Sequence, residues 1–195
     1  MTAVSLLDGY VPHPKLATVI ALTESLAAIM GPKAEVVVHD LSRLPNSIVA
    51  ISGDLTGRQP GGPITDMLLS RIHARQCDDF VNYISVTDDG RTFRSSTIFL
   101  READDVLGCL CVNVDVTEWR HLSAFAEWQL SGTPVRAADL PMLISGAVSG
   151  TERYPADVEE LRNELISRAI AEVGVPLPLM HKKHKLSIVE RLESE

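Results

Sequence analysis

The sequence lacks several features that would assign it to common protein classes. It has three cysteines in 195 residues, an odd number, so a disulfide framework is not expected. No apolar run approaches the roughly 20 residues that a membrane helix needs, and the first residues lack the charged and apolar regions of a signal peptide. These absences predict a soluble, cytoplasmic protein with reduced thiols and no membrane partner.

The sequence motifs of common enzymes are missing as well. There is no Gly-x-Ser-x-Gly, no Walker loop, no Gly-x-Gly-x-x-Gly and no His-Glu-x-x-His. His39-Asp40 matches a pair used by metal phosphohydrolases, but no companion ligands are in view, and Asp40 is better explained as a turn cap. We therefore expect no enzyme activity, no cofactor and no metal site. An enzyme activity without these motifs would need a pocket in which His39 or Cys109 lies beside an acid or a base.

The acidic balance argues against nucleic-acid binding by most of the chain. The formal net charge is −8, and the one locally basic stretch is at residues 181–185. Because DNA phosphates repel an acidic surface, any DNA contact must come from such a basic part. With 45% hydrophobic residues, the chain is long enough for one domain and an appendage.

Apolar periodicity and strand-forming residues give the order of the predicted elements. Residues 91–115 follow a turn signal and hold two strand-like runs, which form a three-stranded antiparallel meander with residues 80–86. An earlier hairpin is predicted from residues 34–40 and 47–51. Helices are predicted over 16–30, 63–74 with Pro63 as the first residue, 117–130, 158–173 and 185–192. The predicted fold class is α+β: a five-stranded antiparallel sheet with flanking helices and a C-terminal helical segment.

A stretch rich in glycine and proline divides the chain. Residues 131–154 have no sustained apolar period and are predicted as a linker with one short turn around residues 140–143. A sensor-like domain is predicted before the linker at residues 12–130. A helical segment is predicted after it at residues 155–195.

Short motifs in this sequence occur in an order that resembles a known family. They are VVVHDLS (36–42), SIVAI (47–51), TGR (56–58), GGPITD (61–66), NY (82–83), DGR (89–91) and SST (95–97). Over about residues 12–125 they resemble the PAS-like domain of the YheO-like transcriptional regulators. Residues 170–192 are similar to the lead-in to that family's C-terminal helix-turn-helix.

The resemblance implies a PAS-type sensor that passes a small-molecule signal, usually as a dimer, to a DNA-binding module. Relatives continue past Leu192 into the helix-turn-helix, whereas this sequence stops at Glu195. Residues 155–195 are therefore expected to be the lead-in to a missing or truncated helix-turn-helix. The resemblance brings no ligand with it, so the site residues are predicted from the sequence itself.

Polar side chains in the middle of the predicted sheet are candidates for ligand binding. Alternation along a strand places Tyr83 and Asn82 on opposite sides, and separates Ser95 and Thr97 from Ser96. A buried hydroxyl or amide without a partner costs about 1–3 kcal/mol, so a ligand or ordered water would satisfy such groups. The alternative is that they face solvent or a dimer partner. The cluster also includes Asn113, and the residues predicted to bind the ligand are Asn82, Tyr83, Ser95, Ser96 and Thr97, with His39 reaching the same pocket.

Arg58 and Thr65 flank the predicted start of the helix at residues 63–74. A helix N-terminus offers free N–H groups, and a guanidinium beside it can complete a site for a carboxylate or a phosphate. We predict that Arg58 and Thr65 anchor an anionic group of the effector. The alternative is a surface arginine that pairs with Asp54 or Asp66. For Cys109 and Cys111, apolar packing is expected, with redox sensing as the alternative.

Surplus apolar helix surface predicts a homodimer. The apolar stripes at residues 16–30 and 117–130 exceed what one small sheet must cover, although packing onto the outer sheet face is an alternative. The expected function is the sensory domain of a transcriptional regulator that binds a small polar metabolite or an organic acid. It would signal through the dimer to DNA by way of a helix-turn-helix. The alternative function is a protein–protein interaction or dimerisation module without a small-molecule ligand.

Overall fold

The computed structural model describes residues 3–133 and 148–194. Within these residues the helices are α1 (Pro14–Met30), α2 (Asp66–His73), α3 (Thr117–Ser131), α4 (Val158–Val173) and α5 (Lys182–Ser194). The strands are β1 (Ser5–Leu6), β2 (Ala34–Asp40), β3 (Ile48–Ser52), β4 (Phe80–Val86), β5 (Thr92–Glu102), β6 (Asp105–Asp115) and β7 (Val148–Thr151).

The described strands form one sheet of seven strands in the order β1-β3-β2-β6-β5-β4-β7. Strand β7 pairs parallel with β4, and the remaining neighbours are antiparallel. Because β2 pairs with β6, the hairpin of β2 and β3 is joined to the meander of β4, β5 and β6. The register places Val37 and Thr97 on either side of Cys111.

Helices cover both faces of the sheet. On one face, α1 buries Leu16 and Ala27 against Val36, Val38 and Leu110. On the other face, Leu68 of α2 and Leu161 of α4 belong to a core with sheet residues that include Val37, Phe99 and Cys109. Every residue of β2 is buried, because this central strand has a helix layer on each side.

The α+β architecture predicted from the sequence is confirmed, and the five predicted strands correspond to β2–β6. Edge strands β1 and β7 extend the sheet, and β7 lies within the range predicted as a linker. The predicted first residue of α2 is wrong: the helix begins at Asp66, and Thr65, not Pro63, provides the cap. The predicted turn around residues 140–143 lies outside the described residues.

Two general properties of the described part of the chain bear on function. Within residues 3–133 and 148–194, no helix is both long and apolar enough to cross a membrane. In the same residues, no group of three or more His, Cys, Asp or Glu side chains is arranged to hold a metal ion.

Asp40 accepts hydrogen bonds from the Ser42 amide and hydroxyl at 2.9 and 2.7 Å, as expected of a turn cap.

Candidate ligand-binding chamber

A polar chamber lies between the sheet and α2. Alternation along β2, β5 and β6 directs His39, Thr97, Cys111 and Asn113 to the face that α2 covers. The loop before α2 adds Arg58. The chamber is lined by His39, Arg58, Thr65, Leu68, Tyr83, Thr97, Cys111, Asn113, Glu152 and Tyr154.

Arg58 of the chamber lining forms an ion pair with Glu35, which lies behind it. Both side chains are fully buried, and Arg58 Nη2 donates to Glu35 Oε1 at 3.0 Å. The Thr56 amide and hydroxyl also donate to Glu35. Burial alone would raise the pKa of Glu35, but the Arg58 charge and the Thr56 donors outweigh it and lower the pKa. The site therefore holds a buried ion pair, with Glu35 as the partner of Arg58 and not Asp54 or Asp66.

Glu152 and Tyr154 close the chamber from the side of β7. Thr65 Oγ1 donates to Glu152 Oε1 at 3.1 Å, and the Tyr154 hydroxyl donates to Glu152 Oε2 at 2.9 Å. The Tyr154 ring centroid lies 4.9 Å from the guanidinium carbon of Arg58. Burial raises the pKa of Glu152 to about 7 because the surrounding hydroxyls and Arg58 only partly offset desolvation.

The free space in the chamber is small, and one strong donor in it lacks a partner. The cavity volume is about 10 Å³, which is the space of roughly one water molecule. Arg58 Nη1 is buried and makes no hydrogen bond to the described residues. A buried charged donor without an acceptor is costly, so this nitrogen marks the position where an added acceptor atom would gain most.

Cys109 and Cys111 are both buried, and one of them also lines the chamber. Both thiols belong to the apolar core next to α2, which agrees with the prediction of small apolar packing. Cys111 lines the chamber, and its Sγ lies 3.5 Å from Thr97 Oγ1. His39, predicted to reach a pocket, also lines the chamber, and its Nδ1 lies 2.8 Å from Ser47 Oγ.

The structure brings most of the residues predicted as ligand-binding to one face of the sheet. His39, Arg58, Thr65, Tyr83 and Thr97 line the chamber, and Ser95 is buried on the same face.

Asn82 and Ser96, also predicted as ligand-binding, lie on the other side of the sheet. Ser96 Oγ accepts from the Asn82 backbone amide at 3.0 Å, and Arg94 donates to Asn82 Oδ1 at 2.9 Å. Asn82 is exposed. Ser96 is turned away from the chamber by the two-residue period of β5, whereas Asn82 has a positive φ of 56° at an irregularity in the β4–β5 register. The structure therefore separates these two residues from the chamber.

Three polar residues of the site were not predicted from the sequence: Glu152 and Tyr154, which line the chamber, and Glu35, which pairs with Arg58. Glu35 shares a strand face with Val37 and His39, so alternation along β2 is a signal that could have placed it. No comparable signal marks Glu152 and Tyr154, because they follow a run of small residues, glycine and proline without a clear period. Asn113, part of the polar cluster seen in the sequence, does line the chamber.

Thr65 has two roles in the chamber wall, and replacing it is expected to change the stability of the protein by a measurable amount. Its hydroxyl oxygen accepts from the Leu68 amide at 3.4 Å and donates to Glu152. Loss of a helix cap and of a buried donor predicts that Thr65→Ala lowers the free energy of unfolding by about 1–2 kcal/mol. Thr65→Ser, which keeps the hydroxyl, is the matched control in urea denaturation. Equal stabilities of the two variants would contradict these roles.

The sheet, the flanking helices and the enclosed polar chamber define an α+β domain of PAS-like architecture. The family model of the YheO-like PAS domain matches residues 11–130 of the chain. The chain therefore belongs to the YheO-like PAS-domain family. Glu152 and Tyr154 lie beyond the matched residues.

Relatives in several bacteria extend the similarity beyond the matched domain. The chain is 27% identical over 177 residues to the protein YheO of Escherichia coli (strain K12), covering 88% of this chain and 68% of the relative. It is 26% identical over 185 residues to a Pseudomonas aeruginosa protein named transcriptional regulator DauR, covering 93% of this chain and 80% of the relative. A Haemophilus influenzae protein is 29% identical over 99 residues, covering 49% of this chain and 45% of the relative.

Proposed function

We propose that this chain is the sensory part of a transcriptional regulator and that it binds a small polar metabolite in the chamber. Its YheO-like PAS domain and its similarity to a protein named transcriptional regulator support a regulatory role rather than catalysis. In this proposal residues 12–130 form the sensor, 131–154 the connection and 155–195 the lead-in to a DNA-binding helix-turn-helix.

The observation that carries the proposal is the unpaired Nη1 of Arg58. Its side chain is buried and lines the polar chamber, its Nη2 and Nε are used by Glu35 and Thr56, and its Nη1 is left without a partner. Structural arginines at such depth are normally satisfied, since unsatisfied buried donors are rare in folded proteins. An acceptor from a ligand would complete the hydrogen bonding of this guanidinium.

Signalling through a homodimer is supported by the outer surface of α3. Trp119, Leu122, Phe125 and Leu130 are each more than half exposed, and the first three recur every third residue, which places them along one side of the helix. A monomer seldom leaves so many large apolar side chains of one helix in water. A second copy of the chain would bury them.

The second candidate function is a protein–protein interaction or dimerisation module that binds no small molecule. The small cavity favours it, because about 10 Å³ does not admit a metabolite in the described conformation. The two functions share the dimer and differ in whether the chamber takes up a ligand.

Native mass spectrometry of the freshly purified chain tests both functions. A dimer that carries a bound mass of metabolite size is the result expected for the sensor. Arg58→Lys, which keeps the charge but loses the guanidinium fork, is expected to reduce the bound fraction. A ligand-free dimer in wild type that also binds nothing from a metabolite extract would favour the interaction module.

The apolar face of α3 predicts which substitution breaks the dimer. Phe125→Glu is expected to shift the protein from dimer to monomer, because a charge would be buried without a partner at the interface. Glu127→Lys is the control, since Glu127 shares its side of α3 with Ser123 and Ser131. Sedimentation equilibrium measures the outcome. The proposed interface is wrong if both variants remain as dimeric as wild type.

A further inference from the structure

Two side chains from outside the matched PAS domain occupy the wall of the chamber. Glu152 is 3% exposed, and its carboxyl group reaches the hydroxyl of Thr65 at the start of α2. The Tyr154 ring lies over the Arg58 guanidinium and 5.4 Å from the Phe93 ring, between centroids. We call the side chains of Glu152 and Tyr154 the plug.

The plug separates the chamber from an open groove. A groove of about 260 Å³ lies on the outer side and is lined by residues that include Thr56, Arg91 and Glu160. Glu152 and Tyr154 line both this groove and the chamber. Movement of the plug would therefore join the two spaces and provide the volume that the chamber lacks.

The plug does not satisfy all the hydrogen-bond donors of the chamber. The Glu152 carboxyl group is held by the hydroxyls of Thr65 and Tyr154 and leaves Arg58 Nη1 without an acceptor. A hydrogen bond from a charged guanidinium nitrogen to a carboxylate is roughly twice as strong as one between neutral groups. The Arg58 side chain thus keeps a donor for an acid that approaches more closely than Glu152 does.

We propose that the plug is a built-in substitute for the effector, and that the effector is a small organic acid that displaces it. Its carboxylate would bind Arg58 Nη1 and the Thr65 hydroxyl that Glu152 now uses. This inference rests on the proposed sensor function and specifies the ligand class and the structural response.

The plug is directly connected along the chain to β7 and to the C-terminal helices, so its displacement would affect both. The Glu152 amide donates to the Val86 carbonyl at 3.3 Å, which continues the pairing of β7 with β4. Arg153 donates to Asp88 at 2.8 Å. Helix α4 begins at Val158, shortly after Tyr154. A ligand that binds only the displaced state shifts the population of both the plug and the start of α4.

The test compares the full chain with a variant that has no plug, Glu152→Ala with Tyr154→Ala. The probes are sodium acetate, propionate and benzoate, with benzamide as the uncharged counterpart of benzoate, and ligand-observed NMR gives the affinities. Wild type must first displace its plug, so the variant is expected to bind at least one of the carboxylates about tenfold more tightly than wild type does. It is also expected to prefer benzoate to benzamide. Equal carboxylate affinity of wild type and variant would overturn the inference.

Hydrogen exchange of the wild-type chain provides the second measurement and does not depend on the folding of the variant. A saturating carboxylate is expected to increase amide exchange at Glu152 and Tyr154 while protecting α2. A carboxylate that binds while leaving exchange at these two residues unchanged would overturn the plug but preserve the sensor. Absence of any bound metabolite or probe in both proteins would overturn the proposed function itself.

Discussion

Replacing Arg58 by alanine is expected to lower the free energy of unfolding by about 3–5 kcal/mol. Both members of the Arg58–Glu35 pair are removed from water, and the substitution would leave the Glu35 carboxylate buried next to amide and hydroxyl donors but without its counter-charge. The Arg58 charge is also the largest influence that keeps the pKa of Glu35 low against burial. Urea denaturation at neutral pH measures the loss.

A double-mutant cycle distinguishes the ion pair from simple loss of side-chain volume. Arg58→Met keeps most of the volume and is expected to be nearly as destabilising as alanine, since it also leaves the carboxylate unpaired. Adding Glu35→Gln, which keeps an oxygen for the Thr56 donors, is expected to recover about half of the lost stability. Strictly additive effects of the two substitutions would contradict a coupled buried pair.

The fold could be predicted from the sequence wherever local pattern decides it. The β-branched run of β2, the turn before β5 and the apolar stripe of α1 each specify an element by its own residues. Alternation also places Tyr83 and Asn82 on opposite sides of the sheet, but it does not say which side carries the chamber, so both were predicted as ligand-binding. The predicted strands, turn and helix depend on interactions between near neighbours in the chain.

The chamber could be predicted only in part because its chemistry depends on distant pairings. Arg58 was a candidate from its place near a helix start, but its partner Glu35 lies 23 positions away. Thr65 and Glu152 are 87 positions apart. The register that unites them follows from the pairing of β2 with β6 and of β7 with β4. No local period records such pairings, so the plug is visible only in the folded chain.

Raising the pH from about 4.5 to about 7 is expected to destabilise the folded chain through Glu152. Burial raises the pKa of this carboxyl from 4.5 to about 7 in the folded state, so the folded protein retains a proton that the unfolded protein releases. The stabilisation that this retained proton gives the folded state is fully present below pH 4.5. It falls as the pH rises to the folded-state pKa, and above that pH the stability no longer changes through Glu152. The expected loss is roughly 3 kcal/mol.

Glu152→Gln is the matched control because it imitates the protonated carboxyl group and does not titrate. The groups that interact with Glu152 include Arg58, Thr65, Tyr83, Cys111 and Tyr154, and all of them are retained in the variant. Glu164, whose pKa is also raised to about 7 by burial and by nearby carboxylates, contributes equally to both proteins. Urea denaturation across the pH series should therefore show the variant gaining stability over wild type as pH rises. A constant difference would mean that Glu152 is already ionised in the folded chain, and that the plug is held as a carboxylate.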